Sequence, residues 1–263
     1  MDSLGLYRRY LRQSMRAQLQ YRTSFVLQTV SYFLLTAIEF LGIWALFARF
    51  GSLRGWTLPE VALFYGTINV AFAIADALGR GFDVFSVQVK SGDFDRILLR
   101  PRTAVLQLFG FEVTLRRIGR VSQGLVVLGY GVALLGIYRH PVWLLLICYS
   151  LASSVVLFLA LFVIQATVSF WTVESLEIMN TMTYGGVDAA QYPMSIYRRL
   201  FRGIFTFLVP LLCVCYLPLS TVIGRGEWAP WLAWTAPLSG FAFFGVALLF
   251  WRFGVRHYTS TGS

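Results

Sequence analysis

The chain has 263 residues, of which 57% are apolar and 13% charged, and its mean hydropathy is +0.68. One soluble core of this size cannot bury so much apolar surface, so the composition excludes an ordinary water-soluble domain and predicts an integral membrane protein. The net charge of +10 comes from arginines at the ends of apolar stretches, which indicates topology and contact with anionic lipid rather than nucleic-acid binding.

The N-terminal residues 1–22 predict an amphipathic helix that lies in the membrane interface. Leu4, Tyr7, Leu11 and Met15 recur at three-to-four spacing, with arginines on an adjacent stripe. The apolar stretch that follows is long enough to span a bilayer, so we expect this segment not to be a cleavable signal peptide. The first span itself is expected to direct insertion.

Six apolar stretches predict an all-α integral membrane protein whose residues 1–263 form a single transmembrane domain. A helix that rises about 1.5 Å per residue needs about 20 apolar residues to cross a hydrocarbon core of roughly 30 Å. Pro210 and Pro218 predict a kinked or broken fifth span, and Arg139-His140-Pro141 predicts a tight hairpin after the third. The predicted spans are about 24–47, 60–78, 121–138, 142–171, 203–222 and 231–253.

The distribution of Lys and Arg predicts the orientation. Eighteen of them fall on the side of the N-terminus, the 80–120 loop and the C-terminal tail, and four fall on the other side. Arg198, Arg199 and Arg202, between the predicted fourth and fifth spans, are counted with the eighteen. The positive-inside rule then predicts a multi-pass protein of the bacterial cytoplasmic (inner) membrane with both termini in the cytoplasm.

Three polar residues inside the predicted spans are candidates to line a translocation path. Ionisable groups at membrane depth are costly, so each needs a partner or a water-filled cavity. Glu39 lies deep in the first span without a basic residue in reach on its own helix. Asp76 is four residues before Arg80, which predicts a helical ion pair. Gln165 in the fourth span can bond to a neighbouring helix or to its own backbone.

The 80–120 loop is the largest polar segment between spans. It places Phe94 among charged residues, with Gly92 before a short helix and Pro101 after it. An exposed apolar residue on a charged helix suits docking into a groove of a cytoplasmic partner, while the alternative is a solvated loop with ordinary helix caps. Both readings are compatible with the residues themselves.

The sequence predicts no catalytic, cofactor-binding or metal site in this chain. His140 and His257 fall on opposite sides of the predicted membrane, and the three cysteines lack metal-ligand spacing. The chain carries one lysine, Lys90, and no Gly-x-x-x-x-Gly-Lys-Ser/Thr phosphate loop. An enzyme acting on lipid is disfavoured because it needs such residues clustered at one membrane face.

The segment Ser91-Gly-Asp-Phe-Asp-Arg-Ile-Leu-Leu-Arg-Pro101 resembles the signature of permease subunits of type 2 ATP-binding-cassette exporters. Within that family the chain is most similar to stand-alone six-span bacterial permeases. Weaker similarity extends over nearly the whole chain, through Gly55–Val61, Tyr192–Tyr197, Val209-Pro210, Leu217-Pro218 and Tyr258–Ser263.

The resemblance implies a non-enzymatic half-transporter for efflux, with ATP and Mg bound by a separate ATPase subunit, expected in two copies. A second related permease, or the chain itself, would complete the path. The alternative is a non-transporting scaffold or regulatory subunit. The resemblance also implies a coupling helix that contacts the ATPase, and it carries this role to Gly92, Asp93, Phe94, Asp95, Arg96, Leu99, Arg100 and Pro101.

Overall fold

A computed structural model describes residues 3–172, 176–226 and 228–259. These residues form helices and connecting turns, with one isolated β-bridge between Leu53 and Trp56. The α-helices are α1 Ser3–Gln20, α2 Arg22–Phe50, α3 Leu58–Asp83, α4 Phe85–Lys90, α5 Asp93–Leu98, α6 Ala104–Phe109, α7 Ile118–Leu134, α8 Pro141–Val168, α9 Leu176–Ala190, α10 Arg199–Gly203, α11 Leu217–Val222, α12 Pro230–Thr235 and α13 Leu238–Arg256.

The all-helical class is confirmed in the described residues, and four of the predicted spans correspond to helices that can cross a membrane. These helical stretches are Arg22–Phe50, Leu58–Lys90, Pro141–Val168 and Pro230–Arg256. The third predicted span, 121–138, forms the 17-residue α7. It ends early because Gly136 adopts a φ of +67° and a 3-10 turn follows. The total of six spans stays a prediction.

The helix α1 forms within the segment predicted to be an interfacial helix. Ser3 to Gln20 are helical, while residues 1 and 2 and the side chains of Leu4, Tyr7 and Leu11 lie outside the described part of the structure. Location of α1 in the interface therefore stays a prediction. The short helix α5 likewise forms where the sequence predicts one, after Gly92 with a φ of +72°.

Two ends of the helix bundle are named here after an aromatic residue at each. The Trp56 end comprises residues 51–58 and 194–198 and the segment around Arg225, and the Phe94 end comprises α4, α5 and residues 251–258. Helix α3 runs from the first to the second. Helix α7 returns beside it, so that Gly131 packs against Leu63 and Gly124 against Val70.

Helix α3 is the central element of the fold. It begins at a capping box, in which the Glu60 carboxylate accepts hydrogen bonds from the Thr57 backbone N–H at 2.7 Å and the Thr57 hydroxyl at 2.8 Å. Most of its length is buried between α7 and α8. Small residues let the backbones approach closely, as in other membrane helix pairs, and at Gly66 a Cβ atom would lie 2.6 Å from the Leu128 backbone nitrogen.

The predicted location of residues 192–202 is wrong. The sequence places them at the end of the bundle opposite to residues 49–57, whereas Trp56 Nε1 donates a hydrogen bond to Ser195 Oγ at 3.1 Å. Arg54 Nη1 also donates to the Ile196 carbonyl at 2.8 Å. Since α8 ends at the Phe94 end, where Phe170 packs on Phe94, α9 must run back to the Trp56 end. Its 15 residues measure about 22 Å.

The predicted fifth span, 203–222, is not a continuous helix. It consists of two legs, Arg199–Leu208 and Leu212–Val222, that are bent by 90°. Pro210 at the break has no N–H donor, and Val209 before it is extended with a φ of −127°. Ser195 before the first leg and Arg225 after the second both lie at the Trp56 end. The segment is therefore a bent hairpin that enters and leaves at one end.

This correction moves Arg198, Arg199 and Arg202 to the Trp56 end. The imbalance of Lys and Arg falls from eighteen against four to fifteen against seven. Its sign is unchanged, because the 80–120 loop alone contributes eight of these residues. The charge distribution still predicts cytoplasmic termini.

Gly66→Ala is expected to lower the stability of the folded chain by about 1 to 3 kcal/mol, because the added methyl group meets backbone rather than a flexible side chain. Thermal unfolding in mild detergent, followed by size-exclusion chromatography, measures the change. Gly42→Ala is the matched control, since no atom lies within 4 Å of a Cβ at that glycine. Equal melting temperatures for the two variants would contradict the close approach of α3 and α7.

Candidate functional site

Phe94 anchors α5 to the rest of the protein. Sequence analysis predicts that this side chain is exposed, but it is 0% exposed in the structure. Its ring lies 4.9 Å from Phe85, 5.4 Å from Phe170, 6.2 Å from Trp251 and 5.1 Å from Tyr258, measured between centroids. The predicted exposure of Phe94 is therefore wrong, and the side chain instead joins α5 to the turn after α8, to α13 and to the tail.

The exposed apolar residue of this segment is Leu99, at the C-terminal end of α5. It is 86% exposed, and Arg100 and Pro101 after it are also exposed. Arg96, with 81% of its side chain exposed, forms an ion pair of 3.5 Å with Asp93. Such an exposed pair adds little stability. The segment thus has an aromatic buried face and a charged outer face that ends in a leucine.

Asp95 is the acidic residue of α5 nearest the C-terminal tail. It is half-buried, and its charge acts on the Tyr258 hydroxyl. Burial raises the pKa of Tyr258 above its ordinary value, and the adjacent Asp95 carboxylate raises that pKa further. Tyr258, in the C-terminal tail, therefore stays neutral at physiological pH and packs on Phe94.

Helix α1 binds the turn that leads from the 80–120 loop into α7. Ser14 Oγ accepts a hydrogen bond from the Val113 N–H at 3.2 Å, and Gln18 Oε1 accepts one from the Leu115 N–H at 2.9 Å. Gln18 Nε2 also donates to the Val113 carbonyl. A spacing of four residues places Ser14 and Gln18 on one face of α1. The apolar periodicity indicates the helix but gives no sign of this polar contact.

Asp76 pairs with a residue that the sequence analysis did not select. Its Oδ2 atom lies 2.6 Å from Nε of Arg117, which precedes α7, and its side chain is 1% exposed. The predicted partner Arg80 instead pairs with Asp83 at 2.5 Å. The Thr114 N–H donates to the Ala77 carbonyl beside this ion pair. The ion pair therefore ties α3 to the entrance of α7.

Arg120 is a second arginine that the sequence analysis did not select. Its Nε and Nη2 atoms donate to Asn69 Oδ1 at 3.0 and 2.7 Å, and its guanidinium lies 4.9 Å from the Phe72 ring centroid. The charges of Glu39 and Asp76 both act on it. Arg117 and Arg120 are one helical turn apart at the start of α7. Matching these two arginines to Asp76 and Glu39 could have revealed the arrangement from the sequence.

The three candidate path residues differ in accessibility. Asp76 and Gln165 are both buried within the chain. Glu39 is exposed on α2, among exposed apolar side chains such as Leu35 and Ile38. Its charge also acts on Tyr65, whose hydroxyl donates to the Thr36 carbonyl at 2.9 Å. Glu39 is thus the candidate that a molecule beside α2 can reach.

The described residues contain no group of three or more His, Cys, Asp or Glu side chains that could hold a metal ion.

Asp76→Asn is expected to destabilise the folded chain by about 3 kcal/mol, because it leaves Arg117 without its buried countercharge. Asp83→Asn is the control, since the Arg80 pair is more exposed and its loss should cost less. The double variant Asp76→Asn/Arg117→Gln should be more stable than Asp76→Asn alone. Thermal unfolding in detergent measures all three, and a double variant less stable than the single one would contradict the pairing.

Comparison with known proteins identifies the family. The chain matches the family described as ABC-2 family transporter protein over residues 33–262. No curated protein and no solved structure matches the chain. The matched region includes the α5 segment, the Asp76 ion pair and the bent hairpin. Because it covers far more than half of the 263 residues, the chain belongs to the ABC-2 family of transporter proteins, as a multi-pass membrane permease of an ATP-binding-cassette transporter.

Proposed function

We propose that this chain is one half of the membrane part of an ATP-binding-cassette exporter and that it couples to a separate ATPase subunit through the α5 segment. Family membership implies association with an ABC ATPase and dimerisation in general. The observation that carries the finer proposal is the two-faced α5 segment, buried through Phe94 and exposed through Leu99. In this proposal two ATPase subunits bind ATP and Mg, and this chain contributes no catalytic group.

The docking surface is called the coupling patch and consists of Asp93, Arg96, Leu98, Leu99 and Arg100. A protruding leucine within a charged rim is the arrangement by which protein interfaces combine an apolar anchor with orienting polar contacts. A separate set of residues, the buried aromatic cluster around Phe94, supports the patch from inside. A force applied to the patch is therefore transmitted to α8 and α13 rather than absorbed by a loose loop.

Glu39 is the residue that we assign to the translocation path. An exposed carboxylate in the middle of a lipid-facing helix is costly unless it meets a partner chain or water. Arg120 is close enough for its charge to interact with that of Glu39. A path along this face of α2, closed by a second copy or a related permease, satisfies the requirement. Asp76 and Gln165, which are buried, are assigned instead to helix packing.

The orientation follows from the coupling patch and the charge distribution. An ATPase hydrolyses ATP in the cytoplasm, so the Phe94 end faces the cytoplasm in this proposal. Both termini then lie on the cytoplasmic side of the bacterial inner membrane, in agreement with the basic 80–120 loop. The alternative, a non-transporting scaffold or regulatory subunit, would share this topology but would not need an accessible path beside Glu39.

Leu99→Asp is expected to reduce association with the ATPase at least about tenfold, because it places a charge in the apolar centre of the interface. Affinity purification from native membranes in mild detergent measures it, with the ATPase quantified by mass spectrometry and by vanadate-sensitive ATP hydrolysis. The variant chain itself should unfold at the wild-type temperature, because Leu99 is exposed.

Two variants control this experiment. Leu200→Asp alters a residue that is 80% exposed near the Trp56 end, so it should leave ATPase association unchanged. Phe94→Ala should lower the stability of the chain by about 3 to 5 kcal/mol, because it removes a buried ring. Equal ATPase recovery with Leu99→Asp and wild type would remove the coupling patch from the proposal.

Glu39→Cys, in a chain whose native cysteines are replaced by serine, is expected to react with a membrane-impermeant maleimide in the assembled transporter. The reason is that a path lined by the Glu39 carboxylate must admit water beside residue 39. Ile38→Cys and Leu41→Cys are the matched controls on the same helix, because both side chains are exposed and lie off the face of Glu39. They should react at least about tenfold more slowly if they face lipid. Equal reactivity at the three positions would contradict the assignment of Glu39.

A further inference from the structure

Arg225 follows the second leg of the bent hairpin and contacts three groups at the Trp56 end. Its Nε atom lies 2.6 Å from Glu60 Oε1. Its Nη2 atom donates a hydrogen bond to the Gly55 carbonyl at 2.8 Å. Its guanidinium lies 4.6 Å from the Trp56 ring centroid. The side chain thus makes an ion pair, a charge-assisted hydrogen bond and a cation–π contact at once.

The Glu60 carboxylate is held in place by contacts other than the one with Arg225. Its second carboxylate oxygen, Oε2, accepts the two hydrogen bonds from Thr57 that form the capping box of α3. The carboxylate therefore cannot rotate away without opening the first turn of that helix. The capping hydrogen bonds already restrict the Glu60 side chain, so its pairing with Arg225 costs little further side-chain entropy.

Trp56 joins the same site to the other parts of the bent hairpin. Its Nε1 atom donates to Ser195 Oγ, before the first leg. Its ring lies 6.5 Å from Tyr216 in the second leg and 5.8 Å from Phe64 in α3. Arg225, Glu60 and Trp56, which we call the clasp, therefore link both ends of the hairpin to the start of α3.

The hairpin depends on such outside contacts. Ile204–Leu208 and Leu212–Tyr216 are π-helical turns, and Val209 and Pro210 interrupt the helix between them. Short irregular helices of this kind have little stability of their own, so their position is set by what they pack against. In the structure the second leg covers Phe64, and Cys215 behind it is 2% exposed.

We infer that the clasp holds the bent hairpin closed over the Trp56 end and that Arg225 is a positioning residue for transport, whose release lets this end open. The closed position is a property of this chain alone. Its connection to transport rests on the proposed function, in which cargo leaves at the Trp56 end. The sequence alone does not reveal the pairing of Glu60 with Arg225, because 165 positions separate the two residues.

Cys215 provides a native reporter for the opening of the hairpin. In a Cys148→Ser/Cys213→Ser background, it is the remaining one of the three cysteines. Its rate of reaction with a membrane-impermeant maleimide in intact cells follows the population of open hairpin. Arg225→Gln should raise this rate about tenfold or more, because a charge-assisted hydrogen bond of ordinary strength shifts an equilibrium by at least that factor.

Further variants separate clasp release from general misfolding. Arg225→Lys keeps the charge beside Glu60 and should give a rate between those of wild type and Arg225→Gln. Ser195→Ala removes the Trp56 hydrogen bond without altering the ion pair and should also raise the rate. Arg199→Gln changes an exposed arginine at the start of the first leg and should leave the rate unchanged.

Salt dependence tests whether the ion pair itself holds the hairpin closed. The Arg225 side chain is 38% exposed, so its ion pair is screened by added salt. Sodium chloride should accelerate Cys215 labelling in the wild type and have little effect in Arg225→Gln. Folded Arg225→Gln with the wild-type rate, or no response to salt in either protein, would overturn the clasp. Because Cys215 labelling does not measure ATPase binding, such a result would not affect the subunit assignment, which fails only if ATPase association fails.

Discussion

Charges at membrane depth must be compensated inside the protein, and this requirement explains the arrangement of the helices around α3. Asp76 is paired with Arg117, and Asn69 binds Arg120. Both arginines belong to the start of α7, so the two helices are joined by charge as well as by close packing at Gly66. Since neither charge could remain unpaired in hydrocarbon, the register between α3 and α7 is specified more strongly than apolar packing alone would allow.

The Phe94 end uses a different physical principle. There the contacts are aromatic, and Phe94 packs edge to face against rings from α4, α13 and the tail. Such pairs add directional stability to the burial of apolar area. The side chains of Asp93 and Arg96 are exposed on the outer side of α5, which is the distribution a docking helix needs. Rigidity inside and polarity outside are supplied by separate residues.

Much of the helical architecture could be predicted from the sequence, because apolar length and terminal arginines are local signals. The short helix after Gly92 and the hairpin before Pro141 follow from local backbone preferences in the same way. The partner of Asp76 could not be obtained from helical spacing, since the nearest arginine in sequence was not the nearest in space. Phe94 was misassigned because a charged sequence neighbourhood does not exclude burial on one helix face.

The bent hairpin shows why topology was harder to predict than helix content. The 203–222 stretch is apolar and about 20 residues long, so length alone predicts a span, and Pro210 indicates a break without giving the direction of the second leg. Helix α9 was not recognised because Asp188 and its polar neighbours lower its apolar character. Contacts such as those of Ser195 with Trp56 and of Arg225 with Glu60 establish that the chain returns to one end.

Helix α3 carries contacts that define both ends of the bundle. Glu60 fixes the hairpin at the start of α3, and residues around Asp76 fix the entrance of α7 near its finish. A displacement of α3 would strain the Glu60 contacts at one end and the Asp76 contacts at the other, so this helix connects the clasp mechanically to the entrance of α7.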